Sequence, residues 1–395
     1  MKNKINFLDL GFQPLANNYL KKNQLNKRER KYRLKIGFNV DSKLVSINNP
    51  ISSKMMFNNK YPYRSSMSKT MLKSFKTLAI SINKNFKPKK ILEIGSNDGS
   101  FIKNFSKKKV IGIEPCSNIE KITKQKGFNT YSLYWNSISA QKLLKKEGKV
   151  DLIYSANTIS HIEDLDDVFK SINILLSDYG TLIIEDPSLL ECLKKNTYDQ
   201  FYNEHIYVFS LLGIENILKK YDLEIFYVQN LEIHGGSNRY FIKKKINKKK
   251  IHFSVKNQRR KEIDYGINRI STYKKFAKRV KSSKKKLKDI FLKITSKNKK
   301  IIGYGVTAKS TTILNYCKIG KSFISYFVDT TKDKQNRYTP GTKIPIIKYP
   351  GYIEKDIDFI FLGAWNFKKE IFYKEKKFIK KGGKFIIHTP RPKIL

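Results

Sequence analysis

Two glycine-rich turns and one dense polar run carry the residues whose types and spacing suit chemistry. The first turn, Glu93-Ile94-Gly95-Ser96-Asn97-Asp98-Gly99, follows the apolar run Lys90–Ile94 and opens toward a helical stretch. Glycines there let the backbone turn tightly and approach a ligand lying across the carboxyl end of a strand. The next apolar run ends in Glu114, where a carboxylate can accept bonds from two ribose hydroxyls. A nicotinamide fingerprint would read GxGxxG, which this turn does not supply. The second turn, Gly303-Tyr304-Gly305-Val306-Thr307-Ala308, does fit GxGxxA, and Asp329 ends the strand after it. Alone it suggests a dinucleotide site, but so short a fingerprint is weak evidence. The polar run is Tyr198 through Ser210, which gathers Tyr202, Glu204 and His205 within four positions. Cys116, Cys192 and Cys317 lie far apart and form no CxxC pair, so they define neither a disulfide framework nor a zinc site.

The elements that must position these residues are legible from short apolar runs. Lys90–Ile94, Val110–Ile113, Val150–Tyr154 and Gly180–Ile184 read as buried strands. Met71–Asn85, Gly99–Lys107, Asn118–Gly127 and Leu165–Leu176 read as helices around them. Strands alternating with helices predict a parallel, doubly wound α/β sheet. Residues 255–298 read as one long basic amphipathic helix, with an interruption near Ser282-Ser283. Past it, Lys300–Gly305, Ile324–Val328, Ile357–Leu362 and Lys384–His388 predict a second, smaller α/β domain. Four segments result: an N-terminal module over 1–70, a first α/β domain over 71–250, a linking helix over 251–298 and a C-terminal α/β domain over 299–395.

Composition limits the function classes. The 395 residues include 81 Lys and Arg against 33 Asp and Glu, for a formal charge of +48. With 40% hydrophobic and 13% aromatic residues, the chain carries too much apolar surface to be a disordered polycation. Only 11 of the cations are Arg, the better reader of phosphate and bases, and Lys is accompanied by abundant Asn and Ile. The charge therefore reads as compositional background on a solvated face rather than as a nucleic-acid footprint. Ile5–Leu10, interrupted by Asn6 and Asp9, is too short and polar for a signal-peptide core, and no apolar run approaches the roughly 20 residues needed to span a bilayer. A soluble, cytoplasmic protein without membrane insertion is expected; the sequence leaves its oligomeric state open.

Several long motifs in one order resemble the sugar C-methyltransferases of deoxysugar biosynthesis, which depend on S-adenosylmethionine (SAM). They are Asp9–Asn17, Tyr61–Ser68, the ExGxxxG turn with Glu114, Asn157, His161–Asp167, Tyr198–Ser210, His234–Arg239, Gly303–Asn315 and Asp329–Gly341. The resemblance implies a class I SAM methyltransferase (Rossmann-like) domain, a second Rossmann-like α/β domain and a small N-terminal module. It also implies methyl transfer to a carbon alpha to the ketone of a nucleotide-linked keto-sugar. Such a carbon reacts only after a base removes its proton, and imidazole suits that task because its pKa lies near operating pH. By the resemblance, His205 is the candidate base, with Tyr202 on the enolate oxygen and Glu204 orienting the site. Glu93, Gly95, Ser96, Asn97, Gly99, Glu114, Asn157 and His161 are the candidate SAM contacts. Tyr63, Ser65, His234, Gly235, Ser237, Lys309 and Arg337 are the candidate contacts to a nucleotide-diphosphate keto-sugar. An ordinary hydrogen-bonded histidine at 205, a strand turn at 234–237 and surface cations at 309 and 337 are the plain structural readings of the same residues.

The chain departs from the family at its N-terminal module, which usually carries two CxxC pairs for zinc. Asn39 and Ser42 stand at the positions of one pair, and no cysteine precedes Cys116. Neutral amide and hydroxyl groups do not replace thiolates, so no metal is expected. Two other readings compete with the resemblance. One is an RNA or protein methyltransferase using the basic surface; the other is an inactive sugar-nucleotide-binding homologue.

Overall fold

A computed structural model of the chain describes residues 3–353 and 356–395. Strand β4 (Ile91–Ile94) is buried at every position, as its unbroken apolar run requires. It pairs in parallel with β5 (Val110–Ile113) and β7 (Val150–Ala156). The sheet continues through β6 (Asn129–Tyr131) on one side and β8 (Leu176–Pro187), β11 (Ser237–Lys244) and β10 (Leu223–Leu231) on the other. The resulting order is β6-β5-β4-β7-β8-β11-β10, with β11 antiparallel to both neighbours. This is the doubly wound sheet that the resemblance implies. Its ligand crevice lies at the carboxyl ends of β4, β5 and β7, where the strand order reverses.

The helix Lys69–Asn85 leads into β4. Ser68 caps it by accepting from the Met71 amide, and Met71, Phe75, Leu78 and Ile82 form its buried stripe. Helices also form at Ser117–Gln125 and Leu165–Leu175, close to the expected spans. Gly99–Lys107, expected as a helix, contains only a short 3-10 turn at Ile102–Asn104 before a second one. The Asn104 amide donates to the carbonyls of Ser100 and Phe101, the local competition by which Asn disfavours helix interiors.

The expected single linking helix is two. Phe253–Tyr265 and Ile270–Thr295 are separated at Gly266, whose φ of +85° places it in the left-handed region that ends helices. Ser282 and Ser283 do not interrupt the second helix. Its buried stripe runs on through Tyr273, Phe276, Val280, Ser283, Leu287 and Phe291. No helix among the described residues is long and apolar enough to cross a membrane.

The C-terminal sheet is built on β12 (Ile301–Tyr304), β13 (Phe327–Asp329), β15 (Pro345–Lys348), β16 (Phe359–Leu362) and β17 (Lys384–Ile387), all parallel. Short antiparallel strands, β14 (Arg337–Tyr338) and β18 (Lys393–Ile394), close its two edges.

The N-terminal sheet holds β1 (Lys4–Pro14), β2 (Lys31–Asn39) and β3 (Val45–Ile47), and takes its fourth strand from outside the module. That strand, β9 (Tyr207–Val208), begins two residues after His205 and pairs with β3 through Val45–Val208 and Ser46–Tyr207. The module thus fastens itself to the backbone of the polar run. At the β2–β3 corner, Asn39 Oδ1 accepts from the Asp41 amide at 3.0 Å, the Ser42 amide at 2.8 Å and the Ser42 hydroxyl at 3.0 Å. One amide oxygen organises a corner where the family places cysteines. Asn39→Ala is expected to lower stability by about 1–2 kcal/mol, read as an earlier denaturation midpoint by circular dichroism. An unchanged midpoint would show that the corner holds without it.

Candidate functional site

One cavity of about 720 Å³ is walled by all three domains. Its first end lies at the β4 turn. Gly95 has φ +75°, and a Cβ there would run into the Thr158 side chain, so only glycine lets the loops after β4 and β7 meet. Glu114 accepts from the Asn97 amide at 2.9 Å and the Cys116 amide at 2.9 Å, which fixes both carboxylate oxygens and leaves lone pairs toward the cavity. Burial pushes its carboxyl above the ordinary range. Glu93 is also buried and lines the cavity, and among the described residues its Oε2 has no hydrogen-bond partner. Burial, with Asp98 and Glu114 close by, pushes the Glu93 carboxyl well above the usual range. A buried, unpartnered acceptor beside a fixed carboxylate fits a ligand that brings hydroxyl and ammonium donors, as SAM does.

Asn97, Asn157 and His161 line the same cavity. Asn97 accepts from the Ser65 amide at 2.9 Å and donates to the Tyr63 carbonyl at 3.2 Å, so it ties the 61–68 segment over the glycine turn. Tyr63 and Ser65 line the cavity with it. Ser96 and Gly99 lie behind the wall: Ser96 is buried next to Gly112, and Gly99 faces Thr123 of the neighbouring helix.

The second end holds the polar run. Here His205 Nδ1 lies 2.8 Å from the Gln200 carbonyl and Nε2 lies 2.5 Å from the Tyr202 hydroxyl. A carbonyl only accepts, so Nδ1 carries the ring hydrogen and Nε2 presents its lone pair to Tyr202. Burial first, then the nearby charges of His161 and Lys309, hold His205 well below its ordinary 6.5. Burial likewise pushes the Tyr202 phenol well up, leaving it a neutral donor. His161 stacks between Phe57, at 5.3 Å, and His205, at 5.1 Å. Burial holds His161 down to about 3, and among the described residues its Nε2 has no partner.

Glu204 faces the N-terminal module. It accepts from Asn17 Nδ2 at 2.7 Å and the Tyr61 hydroxyl at 3.0 Å, and burial raises it to about 7. Asn17 and Tyr61 stand in two of the motifs that carry the resemblance, and their partner lies 187 and 143 residues away.

Of the expected substrate contacts, His234 and Lys309 line the cavity. Gly235 instead packs on the Trp365 ring, and Ser237 is buried with its hydroxyl donating to the Ile233 carbonyl at 3.2 Å. Arg337 sits in the edge strand β14 and is not part of the cavity lining. Lys334 takes that place: it lines the wall 3.6 Å from Asp329 and bonds the Val306 carbonyl at 2.6 Å. Lys334 is one lysine among many, so no local pattern distinguished it. His388, which has no partner visible in the sequence, lies buried 3.1 Å from Asp199 Oδ2.

Three family models match the chain in succession. A putative zinc binding domain covers residues 1–57, a methyltransferase domain 63–228 and a C-methyltransferase C-terminal domain 232–390. The chain is 27% identical over 307 residues to the C-methyltransferase NovU of Streptomyces niveus, covering 77% of this chain and 73% of that one. Among solved structures, it is similar to the SAM-bound magnesium protoporphyrin IX methyltransferase of Synechocystis PCC 6803. That match has 13% identity and a TM-score of 0.33 over 44% of this chain and 78% of that chain. A SAM-dependent methyltransferase from Clostridium acetobutylicum ATCC 824 gives 15% identity and a TM-score of 0.33, over 44% and 92%.

Proposed function

We propose that the chain is a SAM-dependent C-methyltransferase whose acceptor is a carbon alpha to the ketone of a nucleotide-linked keto-sugar. The observation that carries this reading is the His205–Tyr202 pair, buried in one cavity with the glycine turn. Carbon alkylation needs a neutral base in the right tautomer, and here the Nε2 lone pair accepts from the Tyr202 hydroxyl. The Gln200 carbonyl fixes the Nδ1–H tautomer, and burial keeps His205 neutral at physiological pH. The acceptor C–H bond breaks, its electrons become the enolate, and the proton passes to the Tyr202 oxygen as that hydroxyl gives its own hydrogen to Nε2. Bound SAM supplies an electrophilic methyl. Glu93, Asn97 and Glu114 would hold it at the β4 end, and Asn157 and His161 line the same cavity. Arg64, Lys334 and Lys374 also line the cavity, each beside a carboxylate (Asp333, Asp329 and Glu370), and are the cations that a diphosphate could recruit.

Incubation with methyl-labelled SAM and a panel of nucleoside-diphosphate keto-sugars tests this reading. The expected product carries the label on carbon, located by NMR. Transfer only to RNA or protein, or none to any keto-sugar, would overturn it.

The N-terminal module is read as metal-free. Asn39 and Ser42 present amide and hydroxyl groups that already bond to each other, and among the described residues no cluster of three or more His, Cys, Asp or Glu side chains could hold a metal. Stoichiometric zinc in purified, tag-free protein would overturn that reading.

A further inference from the structure

We propose that Lys309, reaching in from the C-terminal domain, is a catalytic residue whose ammonium neutralises the enolate oxygen, with Asp199 as its positioning residue. The inference rests on the keto-sugar reading above, and it begins from a missing donor. Tyr202 was the expected partner of that oxygen, but its hydrogen is committed to His205 Nε2 at 2.5 Å. Something else must meet the charge that develops when the proton leaves, and preorganised donors supply much of the stabilisation at such sites.

Lys309 is placed for this at a cost to the fold. It is the second residue of the helix Ala308–Cys317, where the helix dipole disfavours a cation. It is only 7% exposed, and among the described residues no carboxylate lies within 4 Å of its ammonium. Among the described residues its ammonium makes one hydrogen bond, long at 3.4 Å, to the His234 carbonyl, and Lys309 and His234 both line the cavity. The same carbonyl accepts from Gln200 Nε2 at 2.7 Å, while the Gln200 carbonyl holds His205 Nδ1. A chain of hydrogen bonds through His234 and Gln200 thus joins Lys309 to the base, and the Lys309 charge acts on the His205 ring.

Asp199 lies beneath this pair. Its Oδ2 accepts from Trp365 Nε1 at 2.6 Å and lies 3.1 Å from His388 Nε2, joining the two α/β domains. The Lys309 ammonium sits 5.2 Å above the Trp365 ring. Burial lowers Lys309 to about 8, while Asp199 and Cys192 act to raise it. The groups facing it are Asp199, Cys192, His205 and His234. Neutralising Asp199 therefore lets Lys309 lose its proton at lower pH.

The step balances without another reactant. The C–H electrons form the enolate double bond, the carbonyl π pair moves to oxygen beside Lys309, and the proton goes to the His205–Tyr202 pair. The enolate carbon then bonds the methyl as the methyl–sulfur bond breaks toward sulfur.

The test is hydrogen exchange at the alpha carbon of a nucleoside-diphosphate 4-keto-deoxysugar in D2O, with S-adenosylhomocysteine replacing SAM. Lys309→Met is expected to slow wild-type exchange and kcat by about 100-fold with KM nearly unchanged, and Lys309→Arg to recover part of the loss. Asp199→Asn is expected to move the alkaline fall of kcat to lower pH, a readout that a purely structural latch would not shift. Wild-type exchange rates in Lys309→Met, with KM alone raised, would make Lys309 a diphosphate contact and overturn the proposal. Absence of exchange by the wild type with every keto-sugar would overturn the functional reading and this proposal with it.

Discussion

His205→Ala is expected to reduce methyl transfer by about 1,000-fold while leaving SAM affinity nearly intact, because the histidine stands at the acceptor end of the cavity and Glu93 and Glu114 at the other. Calorimetric titration with SAM beside single-turnover transfer separates the two effects. The pH dependence adds a sign. Burial holds His205 well below 6.5, so its neutral, basic form persists below that pH. The acidic fall of kcat/KM in the wild type should then lie below pH 6.5, not centred on it. Tyr202→Phe should cost less than His205→Ala, since it frees Nε2 while removing only the hydroxyl seated on it. Wild-type turnover in His205→Ala would remove the residue from the mechanism.

What was legible in the sequence follows contact range. The β4 turn and its glycines are local: Gly95 must adopt φ +75°, and six neighbouring residues suffice to expose that demand. The doubly wound sheet was likewise expected from buried runs separated by helices, though not its strand order. The break at Gly266 was equally local, yet the apolar period passes over it, and Ser282-Ser283 looked the weaker point. The fourth strand of the N-terminal sheet pairs residues 45–46 with 207–208 and has no local signature. Asp199 and His388, 189 residues apart, were for the same reason invisible as a pair. Arg337 and Lys334 invert the lesson. A motif drew attention to the Arg, while the fold turned the neighbouring Lys toward the cavity.

Arg239 shows where a functional-looking motif is partly structural. It ends the run His234–Arg239, and its side chain points into the sheet rather than toward ligand. Arg239 Nε donates to Glu185 Oε2 at 2.8 Å, Nη1 to Gln229 Oε1 at 2.9 Å and Nη2 to Ser74 Oγ at 3.3 Å. The Arg239 and Glu185 side chains are 5% and 0% exposed. Replacing such a pair with apolar groups can be neutral, but removing one partner leaves a buried charge with nothing to balance it. Arg239→Met is therefore expected to cost about 3–5 kcal/mol in chemical denaturation, and the double variant Arg239→Met/Glu185→Leu to recover most of it. Activity should fall with stability, because the Glu185 carbonyl accepts from the Asn157 amide at 2.7 Å and so fixes a loop that lines the cavity. If the double variant proved no more stable than the single one, the loss would lie in packing around Arg239 and not in the stranded carboxylate. Equal SAM affinity in the double variant and the wild type would then separate the sheet's need for this pair from the site's.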